Sequence, residues 1–95
     1  MNELPVIKFK YGLNEDDEYE MSAKGWRGDV VVKCPNGKEF NLFFYDPVRL
    51  AQTVEDDEIV YEQGLTIVKE VTRGNIEKAV VKMWNEGFFD KLKEI

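Results

Sequence analysis

The stretch Val30-Val31-Val32-Lys33-Cys34-Pro35-Asn36-Gly37-Lys38-Glu39-Phe40-Asn41-Leu42-Phe43-Phe44-Tyr45 decides the class of fold. Successive side chains of a strand point to opposite faces, so Val30, Val32 and Cys34 share one side, and Phe40, Leu42 and Phe44 repeat the same period after an interruption. The interruption contains Asn36-Gly37, two residues that tolerate the positive φ angles of a tight type I′ turn. The two segments form an antiparallel hairpin. Its second strand carries Phe43 and Tyr45 on the other side, and a strand apolar on both faces belongs at the centre of a sheet.

Upstream, Ile7, Phe9 and Tyr11 alternate with Lys8 and Lys10, which predicts a first strand over residues 6–11. Residues 12–18 contain Gly12, Asn14 and the acids Glu15, Asp16, Asp17 and Glu18. Four adjacent like charges suit a solvated connection, so a loop is expected there. Tyr19, Met21 and Ala23 alternate with Glu20, Ser22 and Lys24, predicting a second strand that ends near Gly25 or Trp26. Gly28-Asp29 then offers a turn. The tripeptide Arg27-Gly28-Asp29, familiar from cell-adhesion ligands, is read here as part of that turn.

Downstream, the period changes at Asp46-Pro47, where Asp caps a helix N-terminus and Pro fits the first helical position. Tyr45 and Leu50 stand at the positions of a hydrophobic staple, and Leu50, Ala51 and Val54 form the expected buried stripe of a short helix. Glu55, Asp56, Asp57 and Glu58 end it, where the helix dipole already concentrates negative charge. Ile59-Val60-Tyr61 reads as an edge strand or an extended loop, and residues 65–71 as a fifth strand after a turn at Gln63-Gly64. Thr72 is placed to cap the main helix, whose apolar face is Ile76, Ala79, Val80, Met83 and Trp84. Gly87 is placed to end that helix, and Phe88, Phe89 and Leu92 to fold back as a last turn. The expected fold is a single α+β domain: an antiparallel sheet of four to five strands, one short helix, and a longer C-terminal helix packed on the sheet.

The chain of 95 residues is long enough for one modest core. It has no histidine and one cysteine, Cys34, so an internal disulfide, a structural zinc site and a Cys-His or Ser-His nucleophile are not expected. Neither a G-x-G-x-x-G nor a Walker loop is present, and no cofactor is expected. The formal net charge of -6 disfavours nucleic acid, whose nonspecific affinity comes from Lys and Arg at phosphates. No apolar run is long enough for a bilayer, and Met1-Asn2-Glu3-Leu4-Pro5 lacks the basic and apolar regions of a secretory signal, so the cytoplasm is the expected location.

Gly25-Trp26, the Asn36-Gly37 hairpin, Phe44-Tyr45-Asp46-Pro47-Val48-Arg49-Leu50, and the stretch from Val71-Thr72 to Gly87-Phe88-Phe89 together resemble a family of small bacterial proteins with no established activity. These residues are caps, turns and core positions, so the resemblance implies a shared fold and carries over no catalytic residue. In size, acidity and lack of catalytic residues the chain is also similar, at the level of class, to the immunity proteins that neutralise bacterial toxins.

The function expected from these features is non-enzymatic binding of a basic protein partner. Glu15, Asp16, Asp17, Glu18, Glu55, Asp56, Asp57 and Glu58 would form the steering surface if their loops converge, with Trp26, Tyr45 and Tyr61 as anchors. The plain alternative for the acids is solvated loop charge, and for Trp26 a partly buried place in the sheet. A metal-dependent hydrolase built on the same carboxylates is the second hypothesis, although neither run has the oxygen spacing of a calcium loop. A third is an oligomerisation module that uses Phe88, Phe89 and Leu92; the chain is expected to be a monomer or a homodimer.

Overall fold

The computed structural model describes residues 3–95. The hairpin lies at its centre. Strand β2 (Trp26–Lys33) pairs antiparallel with β3 (Glu39–Tyr45), and Val30 and Val32 stand opposite Leu42 and Phe40. Strand β1 (Val6–Phe9) adds antiparallel to the outer edge of β2, with Ile7 against Val32 and Phe9 against Val30. Strand β4 (Leu65–Ile67) completes the order β1-β2-β3-β4. The expected central place of β3 is what the structure shows.

Among the described residues three α-helices accompany the sheet: α1 (Glu15–Lys24), α2 (Pro47–Asp57) and α3 (Arg73–Asn85). Thr72 caps α3 by accepting the Asn75 amide at 3.1 Å, and Ile76 and Val80 enter the core. Val30, Val32, Leu42, Phe44, Val71, Ile76 and Val80 are fully buried, and Met21 of α1 joins the same cluster. Each such aliphatic or aromatic side chain contributes roughly 1.5–3 kcal/mol on leaving water. Gly87 takes a left-handed conformation, and a 3-10 turn (Phe88–Lys91) inserts Phe89 beside Phe40 at a centroid separation of 5.2 Å. Cys34 is buried in the same cluster, and burial, with the nearby Asp90 charge, raises the pKa of its thiol. It packs as a small hydrophobe.

Several sequence expectations are corrected. Residues 15–24 are helix, not a loop followed by a strand. Asn14 accepts the Asp17 amide at 2.8 Å, and Asp17 in turn accepts the Asn14 amide at 3.1 Å, a reciprocal capping box. The four acids then lie in the first turn, where the helix dipole favours negative charge and offsets their mutual repulsion. The alternation of Tyr19, Met21 and Ala23 was too short to distinguish a strand from a helix with one buried residue. Gly28-Asp29 is not a turn; it lies inside β2 as a bulge. Three residue steps on β2, from Arg27 to Val30, oppose two on β3, from Phe44 to Leu42.

The sheet is mixed, because β4 runs parallel to β3, with Phe43, Phe44 and Tyr45 opposite Leu65, Thr66 and Ile67. Helix α2 serves as the crossover that a parallel pair requires. The fifth strand shortens to these three residues, and residues 59–61 form no strand. Ala51 and Val54 are exposed and no residue of α2 is buried, so the expected stripe does not enter the core. Asp46 still caps α2, accepting the Arg49 amide at 2.7 Å, with Pro47 in the first turn.

Candidate functional site

The bulge in β2 shapes a cleft against α1. Its extra residue lets the Asp29 carboxylate accept the Tyr11 amide at 2.9 Å and the Arg27 guanidinium, from Nε and from Nη2. Arg27 also donates to the Gly12 carbonyl, and its guanidinium lies 5.3 Å from the Phe9 ring centroid. The loop after β1 is thereby tied to β2. Gly28, the other bulge residue, leaves room for Trp26: a Cβ there would come within 2.5 Å of the indole Cζ2 and 3.3 Å of Phe43.

Between this bulge and α1 opens a cleft of about 480 Å³. Trp26, Phe43 and Tyr11 supply its aromatic lining, and Asp17, Glu20 and Lys24 of α1 form its charged wall. These helix positions recur every three or four residues and so share one side of α1. Lys24 lies 3.7 Å from Glu20.

Burial pushes the Asp29 carboxyl up, but the hydrogen bonds from Arg27 and the Tyr11 amide, with the Arg27 charge, outweigh it and hold the group below its ordinary 3.8. A carboxylate with a lowered folded pKa contributes stability above its unfolded value, and that contribution is lost as pH falls through the folded value. The affected window therefore lies below about pH 4. Asp29→Asn is expected to cost about 2 kcal/mol at pH 7, as charged hydrogen bonds become neutral ones. Urea midpoints between pH 3 and 7 should converge for variant and wild type at the acid end; parallel curves would remove Asp29 from the account.

The acidic runs lie on two helices. Glu15, Asp16, Asp17 and Glu18 occupy the start of α1, where Glu18 reaches Arg73 at 4.0 Å. Glu55, Asp56, Asp57 and Glu58 close α2 and are all exposed. The two helices approach each other at their other ends: a Cβ on Gly25, which caps α1, would overlap the Asp46 carboxylate that caps α2. Glu58 lies about 18 Å beyond Asp46 at 1.5 Å per residue. The runs occupy the start of α1 and the end of α2, so the loops expected to carry them are helix termini.

Of the expected anchors, Trp26 is 39% exposed in the cleft, and Tyr61 is 84% exposed after α2. Tyr45 is corrected: at 7% exposure, opposite Trp26 in the β2–β3 register, it is not an accessible anchor. Of the aromatic tail, Phe89 is core, Leu92 is half-buried against it and Phe88 is exposed. Among the described residues, no three His, Cys, Asp or Glu side chains are gathered to hold a metal ion, and no helix is long and apolar enough to cross a membrane. The sequence reading missed this cleft, because it depends on the bulge at Gly28-Asp29 and on α1 being a helix.

The two acidic runs differ in cost. The first stabilises the start of α1, whereas the second opposes the dipole at the end of α2. Glu58 there has φ 67° and ψ -38°, a backbone conformation that disfavours a side chain. Glu58→Gly is expected to raise stability by about 1 kcal/mol in urea denaturation. An unchanged or lower midpoint would show that the end of α2 carries no such cost.

Comparison of the chain with protein-family models, with curated proteins and with solved structures finds no match.

Proposed function

We propose that the protein is a non-enzymatic binding domain for a basic protein, with the end of α2 as its principal contact surface. One observation carries this: α2 buries none of its residues, exposes Val48, Val54 and the following Ile59 and Tyr61, and ends in four acids set against its own dipole. Such an arrangement costs stability in the free protein. A partner that supplies Lys or Arg to the acids and apolar surface to Val54 and Tyr61 recovers that cost. Tyr61 suits the central anchor, since aromatic side chains dominate interface energies. The acids at the start of α1 add to the attracting field, an effect that is largely screened beyond about 10 Å at physiological salt.

The proposal is tested with immobilised 15-residue peptides ranging from acidic to basic, each with the same apolar content. Basic peptides are expected to bind, with association slowing as salt rises. Neutralising Glu55, Asp56, Asp57 and Glu58 together should slow capture by about tenfold or more, and neutralising Glu15, Asp16 and Glu18 by less. Equal capture of acidic and basic peptides, or no response to the α2 replacements, contradicts the proposal. A metal-dependent hydrolase is the weaker reading, since among the described residues no three carboxylates gather to hold a metal ion.

A further inference from the structure

The chain twice places one of its own guanidinium groups over an aromatic ring with a carboxylate beside it. Arg27 lies 5.3 Å from the Phe9 centroid and pairs with Asp29; Arg73 lies 5.9 Å from the same ring and reaches Glu18 at 4.0 Å. The cleft between α1 and the bulge has the other two components of that arrangement. The Trp26 indole lies over Gly28 next to Phe43, and Asp17 and Glu20 line the wall. The third component is not supplied from within: among the described residues no cation lies over Trp26. Of the two cations that line the cleft, Arg27 is occupied by Asp29, the Gly12 carbonyl and Phe9, whereas Lys24 meets Glu20 only in an exposed i,i+4 pair at 3.7 Å, a weak contact that an incoming cation can replace, and Asp17 accepts the Asn14 amide through Oδ2.

We infer that this cleft receives an arginine side chain of the basic partner, with its guanidinium stacked on Trp26 and facing the Asp17 and Glu20 carboxylates. Its volume of about 480 Å³ is ample for one long side chain. Arginine fits better than lysine because a planar, weakly hydrated guanidinium stacks on an indole face while its N–H groups donate in the ring plane. Trp is also the strongest aromatic partner for a cation. The inference rests on the reading that the partner is basic, but it concerns a surface distinct from the end of α2.

The test uses Nα-acetylarginine methylamide and its neutral isostere Nα-acetylcitrulline methylamide, titrated into Trp84→Phe protein so that Trp26 alone reports by fluorescence. Amide shifts of Trp26 and Gly28 in the wild type give the same readout should that variant not fold. The arginine compound is expected to saturate in the millimolar range and to bind about tenfold more tightly than citrulline, with the preference reduced in Glu20→Gln. Equal binding of the two compounds, or no saturable change with either, overturns the inference. Failure here with intact peptide capture by α2 removes only the arginine site. An arginine preference at Trp26 with no peptide capture removes the α2 surface instead.

Discussion

Gly64→Ala is expected to destabilise the protein by about 3–5 kcal/mol, the sum of a left-handed backbone penalty and an overpacking penalty. Gly64 has φ 84° and is buried at the entry to β4. A Cβ added there would come within 2.5 Å of the Asn41 carbonyl oxygen and 3.1 Å of Leu42 Cδ2. The nearer atom is backbone of the central strand β3 and cannot rotate away. Gly64 also accepts the Phe43 amide at 3.1 Å, so relief of the overlap pulls β4 from β3. A domain of this size has a total stability of roughly 5–14 kcal/mol. The urea midpoint should fall by about 2 M or more. A loss below about 1 kcal/mol would show that the parallel pairing of β4 is not as close as described.

Phe44→Ala is expected to cost about 4 kcal/mol. Phe44 is the largest of the side chains with essentially no exposure, and it sits between Arg27 of β2 and Thr66 of β4 in the register. Truncation removes its transfer free energy and leaves a cavity that the surrounding strands cannot close. Phe44→Leu keeps most of the volume and should cost less than half as much. Phe88→Ala, at a position 41% exposed, should change stability by under about 1 kcal/mol. A thermal or urea series in which Phe88 outranks Phe44 would reverse the assignment of interior and surface along the chain.

The sequence disclosed most clearly those elements whose signals are local. The hairpin between β2 and β3, the Asp46-Pro47 start of α2 and the Thr72 start of α3 were legible, because turn and cap chemistry is set within a few residues. The turn is not the expected type I′, however: only Gly37 in it has a positive φ, and its amide donates to the Cys34 carbonyl, so Pro35-Asn36 are the central residues. Helix α1 was not legible. Its acids repel in an isolated reading, and only the Asn14–Asp17 reciprocity and the dipole reveal why they tolerate one another. The direction of β4 was also hidden, since strand polarity depends on the α2 crossover and not on the composition of Leu65–Ile67. Of the candidate site, the acids and Trp26 were legible as residue types. Their placement at the start of one helix and the end of another was not, because α1 itself was read as a loop and a strand. Tyr45 misled because a position opposite Trp26 on a central strand is buried whatever its polar tip suggests.

The same reasoning explains why stability and binding should diverge at one residue. Glu58→Gly removes both an adverse backbone conformation and one of the four acids closing α2. It should therefore make the protein more stable while weakening capture of basic peptides, a trade expected where local structure is retained for an interaction.

Amide chemical-shift mapping of the labelled protein with one captured basic peptide tests the central claim most directly. The account predicts that the largest perturbations fall on residues 54–61 at the end of α2, growing with peptide concentration and collapsing as salt is raised. Perturbations confined to α3 and the 3-10 turn, or spread evenly over the surface, would contradict it.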